Sequence, residues 1–264
     1  MIWAQHRLRN VRFSGGEPTL HPYLPKMVRC AKSLNVKRIA ISTNGSNTLD
    51  YYKSLIDDGV NDFSISLDGC CSSSIDLMSG RADKDYGNKI INAITELSKL
   101  TYVTVGVVIT DDNYEELVNI VQFAHDLGVA DIRIISAAQD NRLLEVAASV
   151  PEDILNDHPI LKYRVKNILG KRNVRGLSDS DCKTCHLMND DCVVAGGKHF
   201  SCVIHMRDGG DPIGDVYLDM RQDREEWLRS HNVHKDPICK KNCLDVCIDY
   251  NNQFNRLRGN YIND

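Results

Sequence analysis

The sequence predicts an α/β fold of parallel strands followed by a small cysteine-rich subdomain. Two observations carry this: short apolar segments alternate with helical segments through residues 11–136, and seven of the ten cysteines lie beyond residue 181. A third refines it. The helix-to-strand junctions LNVKRI, DGVNDF and LGVADI are nearly interchangeable, which reads as a repeated βα unit and favours a barrel-like winding.

The expected strands are VRFSG (11–15), KRIAIST (37–43), DFSISL (62–67), YVTVGVVIT (102–110) and DIRIIS (131–136). Between them LPKMVRCAKSLNV has helical spacing at Leu24, Met27, Val28, Ala31 and Leu34, and residues 51–60, 86–100 and 114–129 read as three further helices, with Gly59 ending the first of these. Strands joined by helices of this length pair in parallel through right-handed crossovers. Their apolar content is the expectation for a sheet buried on both faces. Past Gln139 the rhythm breaks into one or two short helices, one begun by Pro151 with acids behind it. The expected organisation is a domain over 1–140, a helical linker over 141–181 and a cysteine-rich subdomain over 182–264. In that last part DGGDPIGD reads as a turn cluster and RQDREEWLRS as a solvated helix face.

The chain has 264 residues, 42% hydrophobic and 26% charged, with a net charge of -4. It has no apolar run long enough to span a bilayer, and MIWAQHRLRN lacks the pattern of a secretory signal, so the expected location is cytoplasmic with no membrane partner. The charge balance gives no footprint for nucleic acid. Clustered cysteines in a reducing compartment point to metal or iron-sulfur ligation rather than disulfides.

The C-terminal strand ends of a parallel α/β fold form its binding face. Here they read SGGEP, STNG, SLDG, TDDN and SAAQ, a mouth of small and polar residues suited to a polar ligand. In SGGEP the paired glycines leave the backbone accessible, and Glu17 offers a carboxylate to a ligand ammonium.

Through FSGGEPTLHP, ISTNG, ISLDG, IRIISAAQ and the cysteine-bearing tail, the chain resembles the radical S-adenosylmethionine (SAM) superfamily, in the branch with cysteine-rich C-terminal extensions. The resemblance implies a partial (β/α) TIM-like barrel and SAM as cofactor. By it, Gly15, Gly16 and Glu17 bind the SAM amino group, and Ser42, Asn44 and Ser66 line its ribose and carboxylate. Arg81 either pairs with that carboxylate or is a solvated loop arginine. It further implies a 5'-deoxyadenosyl radical, a peptide, protein or small-molecule substrate, and an external one-electron reductant.

One departure sets a further expectation. The family's reactive 4Fe-4S cluster is held by a CxxxCxxC loop ahead of GGE, whereas residues 1–13 contain no cysteine. The first βα unit is therefore expected to be missing, through truncation or degeneration, leaving a chain that does not generate the radical alone. Adjacent Cys70 and Cys71 cannot easily supply three ligands to one cubane, and Cys30 is expected as a buried helix thiol.

In the tail, Cys182 and Cys185 form a CxxC, Cys202 follows, and Cys239, Cys243 and Cys247 would share one face of a helix. These six are the expected metal ligands. Cys192 is the least secure, and His186, His199 and His205 are expected as ordinary polar residues. So many thiols suit one or two iron-sulfur clusters, which the resemblance implies to be auxiliary 4Fe-4S clusters, with a zinc-stapled subdomain in a non-catalytic scaffold as the alternative.

Overall fold

In the computed structural model, residues 8–80, 85–136, 146–172, 174–217 and 220–261 are described. The chain divides into two compact units, one through Arg172 and one beyond it.

In the first unit, β1 (Asn10–Phe13), β2 (Arg38–Thr43), β3 (Asp62–Ser66), β4 (Tyr102–Ile109) and β5 (Asp131–Ser136) pair consecutively, all in parallel. The crossovers are α1 (Leu24–Ser33), α2 (Leu49–Asp58), α4 (Tyr86–Ser98) and α5 (Leu117–Asp126), at the positions the periodicity predicts. One extra helix, α3 (Ser72–Ser79), precedes α4. This is the α/β partial TIM-like fold expected from the sequence.

The register stacks Phe13, Ile41, Phe63 and Val103 in one row. Ile39, Ile65, Val105, Val107, Ile132 and Ile134 continue that apolar face. Helices cover it: Tyr52 of α2 meets Phe63 edge-on at 5.8 Å, and α4 buries Ile90, Ile94 and Leu97.

The opposite face departs from the expectation of strands apolar on both sides. Arg12, Ser42, Asp62, Ser64, Thr104 and Arg133 occupy it, at positions alternating with the apolar row. Arg12 Nη1 donates to Ser42 Oγ at 3.0 Å, Arg133 Nη2 donates to Ser64 Oγ at 3.4 Å, and buried Asp62 pairs with Arg12 and Arg38. The reason is legible in D-F-S-I-S, whose strict period of two is the mark of a strand with one apolar face.

After β5, α6 (Glu152–Asp157) starts behind Pro151 and α7 (Pro159–Leu169) packs against β5 with Leu161, Val165 and Ile168 buried. Both lie in the stretch read as a linker. Asp131 anchors α7 by accepting the Ile160 N–H, and His158 at the α6–α7 junction meets His125 at 3.0 Å.

The second unit is built from short elements. The hairpin β6 (Val193–Ala195) and β7 (Lys198–Phe200) turns at Gly196 and Gly197, and β8 (Gly214–Asp215) joins β7 antiparallel. Around it lie α8 (Val203–Arg207), α9 (Met220–Ser230), α10 (Pro237–Asn242) and α11 (Asp245–Tyr261). Arg224 of α9 corrects the reading of RQDREEWLRS as a solvated face. It is 8% exposed and donates to the carbonyls of Met188, Asp191 and Phe200 and to Cys192 Sγ. A guanidinium with several fixed donors can be buried when each has an acceptor.

The final cysteine run is not one helix. Cys239 lies in α10, Cys243 is extended at its end, and Cys247 lies in α11. The break is held by a returning segment: Gly176 N–H donates to Cys243 O, Leu177 N–H to Lys240 O, and Asp245 N–H to Val174 O. Carbonyls captured this way are no longer free to continue the helix. Among the described residues no helix is long and apolar enough to cross a membrane.

Two measurements test this packing. Phe63→Ala removes a fully buried ring and should cost about 3–5 kcal/mol in denaturant unfolding, and a loss below 1 kcal/mol would contradict the core assignment. Burial holds the His158 imidazole below its ordinary value of 6.5, with Asp131 opposing and His125 reinforcing the shift. The unfolded chain therefore takes up the proton first as pH falls, so stability is complete above 6.5 and is lost as pH falls from there toward the depressed folded value. His158→Gln should show a smaller drop in unfolding midpoint between pH 7.5 and 5.5 than the unaltered protein.

Candidate functional site

At the C-terminal edge of the sheet, the loop after β1 is tied to the loop after β2 by one side chain. Glu17 Oε1 accepts from Thr19 N–H at 3.0 Å, Thr19 Oγ1 at 2.6 Å and Thr43 Oγ1 at 2.8 Å. Glu17 Oε2 accepts from Asn44 N–H at 2.7 Å. Thr43 is fixed in turn by the buried Tyr52 hydroxyl, and Asn44 O accepts from Tyr86 Oη. A carboxylate offers about four lone-pair positions, so Oε2, with a single donor, retains capacity for a ligand cation. Gly15 and Gly16 beside it are exposed, with nothing within 4 Å of where a Cβ would stand, and Gly15 adopts a φ of 154° that side-chain-bearing residues rarely take.

The other strand ends are also braced. Asp68 Oδ1 accepts from Val108 N–H, and Asn113, 2% exposed, donates to the carbonyls of Asp68 and Val108. Burial raises the Asp68 carboxyl against the Val108 hydrogen bond. Gly69 is required because a Cβ there would lie 2.7 Å from the Ile75 nitrogen. Of the expected SAM contacts, Gly15, Gly16, Glu17 and Asn44 come together in one hydrogen-bonded corner. Ser42 turns to the polar sheet face with Arg12, Ser66 is exposed at the end of β3, and Arg81 lies outside the described residues. Asn113 and Arg12 were not singled out from the sequence; Asn113 sits in the TDDN strand end, and Arg12 alternates with apolar Val11 and Phe13.

The remaining thiols of this unit fall elsewhere. Cys30 is exposed, correcting the expectation of a buried helix thiol. Cys70 lies near Glu116, and Cys71 precedes α3, where hydroxyls of Ser73 and Ser74 lower its thiol to about 7.

In the second unit Cys182, Cys185, Cys202, Cys239, Cys243 and Cys247 all line one cavity. Its other walls include Leu177, Ile204, Ile238, Leu244 and Ile248. These are the six cysteines expected as ligands. Cys192 is not among them and instead accepts from Arg224 Nη1 at 3.4 Å. Ten cysteines are free and none is disulfide-bonded. Burial, reinforced by the neighbouring thiols and at Cys239 first by Asp236, raises the Cys239 and Cys243 thiols far above the ordinary thiol range and Cys247 to about 12. Two asparagines of α11 hold the Cys182–Cys185 turn: Asn252 Oδ1 accepts from Cys182 N–H and Asn251 Oδ1 from Leu187 N–H, both at 3.1 Å.

One further cluster borders this cavity. Asp236 caps α10 by accepting from Ile238 N–H and Cys239 N–H at 2.8 Å through Oδ1, while Oδ2 lies 3.1 Å from His205 Nε2 and 3.3 Å from His231 Nε2. The His231 ring stacks on Trp227 at 3.7 Å. Burial would raise the Asp236 carboxyl, but the Cys239 N–H and His205 outweigh it and hold it below its ordinary value. His186, His199 and His205 are all buried.

These features define a parallel α/β domain with a polar, glycine-opened mouth, followed by a thiol-rich unit. The chain carries a radical SAM superfamily domain: residues 1–124 match the model of the radical SAM superfamily. A probable GTP 3',8-cyclase of Sulfurisphaera tokodaii is 29% identical over 136 residues, 51% of this chain and 42% of that protein. The GTP 3',8-cyclase of Nautilia profundicola is 28% identical over 164 residues, 61% of this chain and 50% of that protein. The matched part thus spans about half the length of these curated relatives. Among solved structures, native anSMEcpe with bound AdoMet superposes with a TM-score of 0.59 at 15% identity, covering 96% of this chain and 84% of that one. Streptococcus suis SuiB bound to S-adenosylmethionine gives 0.56 at 13% identity, covering 90% and 58%.

The asparagine brace is testable by itself. Asn251→Ala leaves the Leu187 N–H without its acceptor and should cost about 1–3 kcal/mol, read as an earlier unfolding transition, with Asn252→Ala behaving alike. Unchanged transitions in both variants would mean that the turn is held by other contacts.

Proposed function

We propose that the chain binds SAM at the Gly15–Gly16–Glu17 corner and an auxiliary iron-sulfur cluster in the six-thiol cavity, as part of a radical SAM enzyme acting on a peptide or protein. The observation that carries the cluster is the spacing of its donors. Six thiols line one cavity, yet among the described residues no three cysteine sulfurs lie within 4.8 Å of one another. Tetrahedral zinc holds its thiolates about 3.8 Å apart, given Zn–S bonds of about 2.3 Å. Thiols spread more widely around one space suit a larger sulfur-ligated group, and a 4Fe-4S cluster takes four of them.

The first unit fits SAM by its donor set. Open backbone at Gly15 and Gly16 allows close approach, and Glu17 Oε2 retains an acceptor position for the ammonium. Asn44 is fixed beside it, and Ser66 is exposed at the end of β3. When bound and reduced by one electron from an external reductant, SAM would supply hydrogen-abstracting chemistry. The part played by this chain's residues is to orient the ligand: Glu17 fixes two loops at once, and Asn113 and Asp68 hold the next two.

Peptide or protein as substrate is supported by the extent of likeness. anSMEcpe with bound AdoMet and a peptide, and SuiB bound to its precursor peptide SuiA, cover 97% and 90% of this chain, thus both units. A small-molecule substrate is the reading drawn from the GTP 3',8-cyclases, whose matches cover 51% and 61%.

Metal analysis of anaerobically reconstituted protein tests the cluster: about four iron and four sulfide per chain are expected, whereas zinc as the sole retained metal would overturn it. Calorimetry tests the SAM site. Glu17→Ala should weaken SAM binding by about 1.5–3 kcal/mol as a charge-assisted bond is lost, and unchanged affinity would remove Glu17 from the site. A chain that holds metal but binds no SAM would support the scaffold reading instead.

A further inference from the structure

The geometry points to a second metal site at the margin of the thiol cavity: we propose that His231, Asp236 and Cys239 bind one zinc-type divalent cation. One donor atom from each lies within 4.8 Å of the others, the only such trio among the described residues. The set is one imidazole nitrogen, one carboxylate oxygen and one sulfur, the donor types of zinc.

Three features show that the site is built for a ligand. His231 Nε2 is buried and has no hydrogen-bond partner although Asp236 Oδ2 is only 3.3 Å away. That separation is the edge expected between two ligands that each lie about 2.0 Å from a tetrahedral metal, roughly 3.3 Å. The donors are also held in place. Stacking on Trp227 fixes the His231 ring, and the Ile238 and Cys239 N–H groups hold Asp236 through Oδ1, leaving Oδ2 directed to the site. His205, 7% exposed at its side chain, stands 3.1 Å from Oδ2 and orients the carboxylate from the other side.

The assignment rests on the cluster reading in one respect, that Cys239 is not one of the cubane's four ligands. Five other cysteines line the cavity, enough for a cluster that takes four. On coordination Cys239 binds as thiolate and its proton passes to solvent. Six clustered thiols then divide between two metals, and the α10 cap becomes the link between them.

The test uses the full chain after iron and sulfide reconstitution, with zinc chloride added and unbound metal removed. About one zinc per chain should remain beside the iron, and zinc-edge X-ray absorption should show one sulfur at about 2.3 Å with nitrogen or oxygen neighbours at about 2.0 Å. His231→Ala and the size-conserving His231→Gln should each lower zinc affinity at least about tenfold while iron content, which reports folding of the unit, stays unchanged. Cys239→Ser should lose the zinc–sulfur contact and keep the iron. Iron bound with no zinc, zinc indifferent to both His231 variants, or iron lost in Cys239→Ser would overturn this site alone. Zinc in an all-sulfur shell without iron would overturn the cluster reading as well.

Discussion

The carboxylate of Glu17 is the constraint on which the mouth of the first unit depends. β1 is a four-residue strand, and the loop that follows it would be weakly anchored by backbone pairing alone. By accepting from Thr19, Thr43 and Asn44, Glu17 joins that loop to the end of β2, and through Thr43 and Tyr52 to the core beneath. Charge-assisted bonds of this kind are shorter and stronger than neutral ones. The same bonds leave two glycines uncovered at the surface, so the group that stiffens the corner also keeps its backbone open to a ligand.

The second unit solves a different problem. Its strands are two or three residues long, and its apolar core is small, which is the situation in which a bound metal contributes folding energy directly. Polar side chains do the remaining work. Arg224 gathers the carbonyls of three separate segments, and Asn251 and Asn252 hold the first two cysteines from across the unit. The cysteines are brought to one cavity by these contacts and by the returning segment at Val174–Leu177, rather than by a shared helix face.

Much of this was legible in the sequence where local periodicity carries the information. All five parallel strands and the four crossover helices fall where the apolar pattern places them, and the six cavity cysteines are the six expected from spacing. The polar sheet face was encoded equally plainly in D-F-S-I-S, but an overall apolar composition hides a period of two. Buried Arg224 left no such signal, because a charged residue in a charged helix looks solvated until its acceptors are known.

The sequence by itself determined the order of strands and helices, the glycine-rich corner after β1 and the six cysteines that line one cavity of the second unit. Those depend on periods of two and 3.6 residues and on residue chemistry, both of which are local. Only the tertiary structure decided which atoms Glu17 engages, that the final cysteine run breaks at Cys243, and that His231 and Asp236 stand beside Cys239. Each of these depends on segments distant in sequence meeting in space, and on buried polar groups finding their partners there.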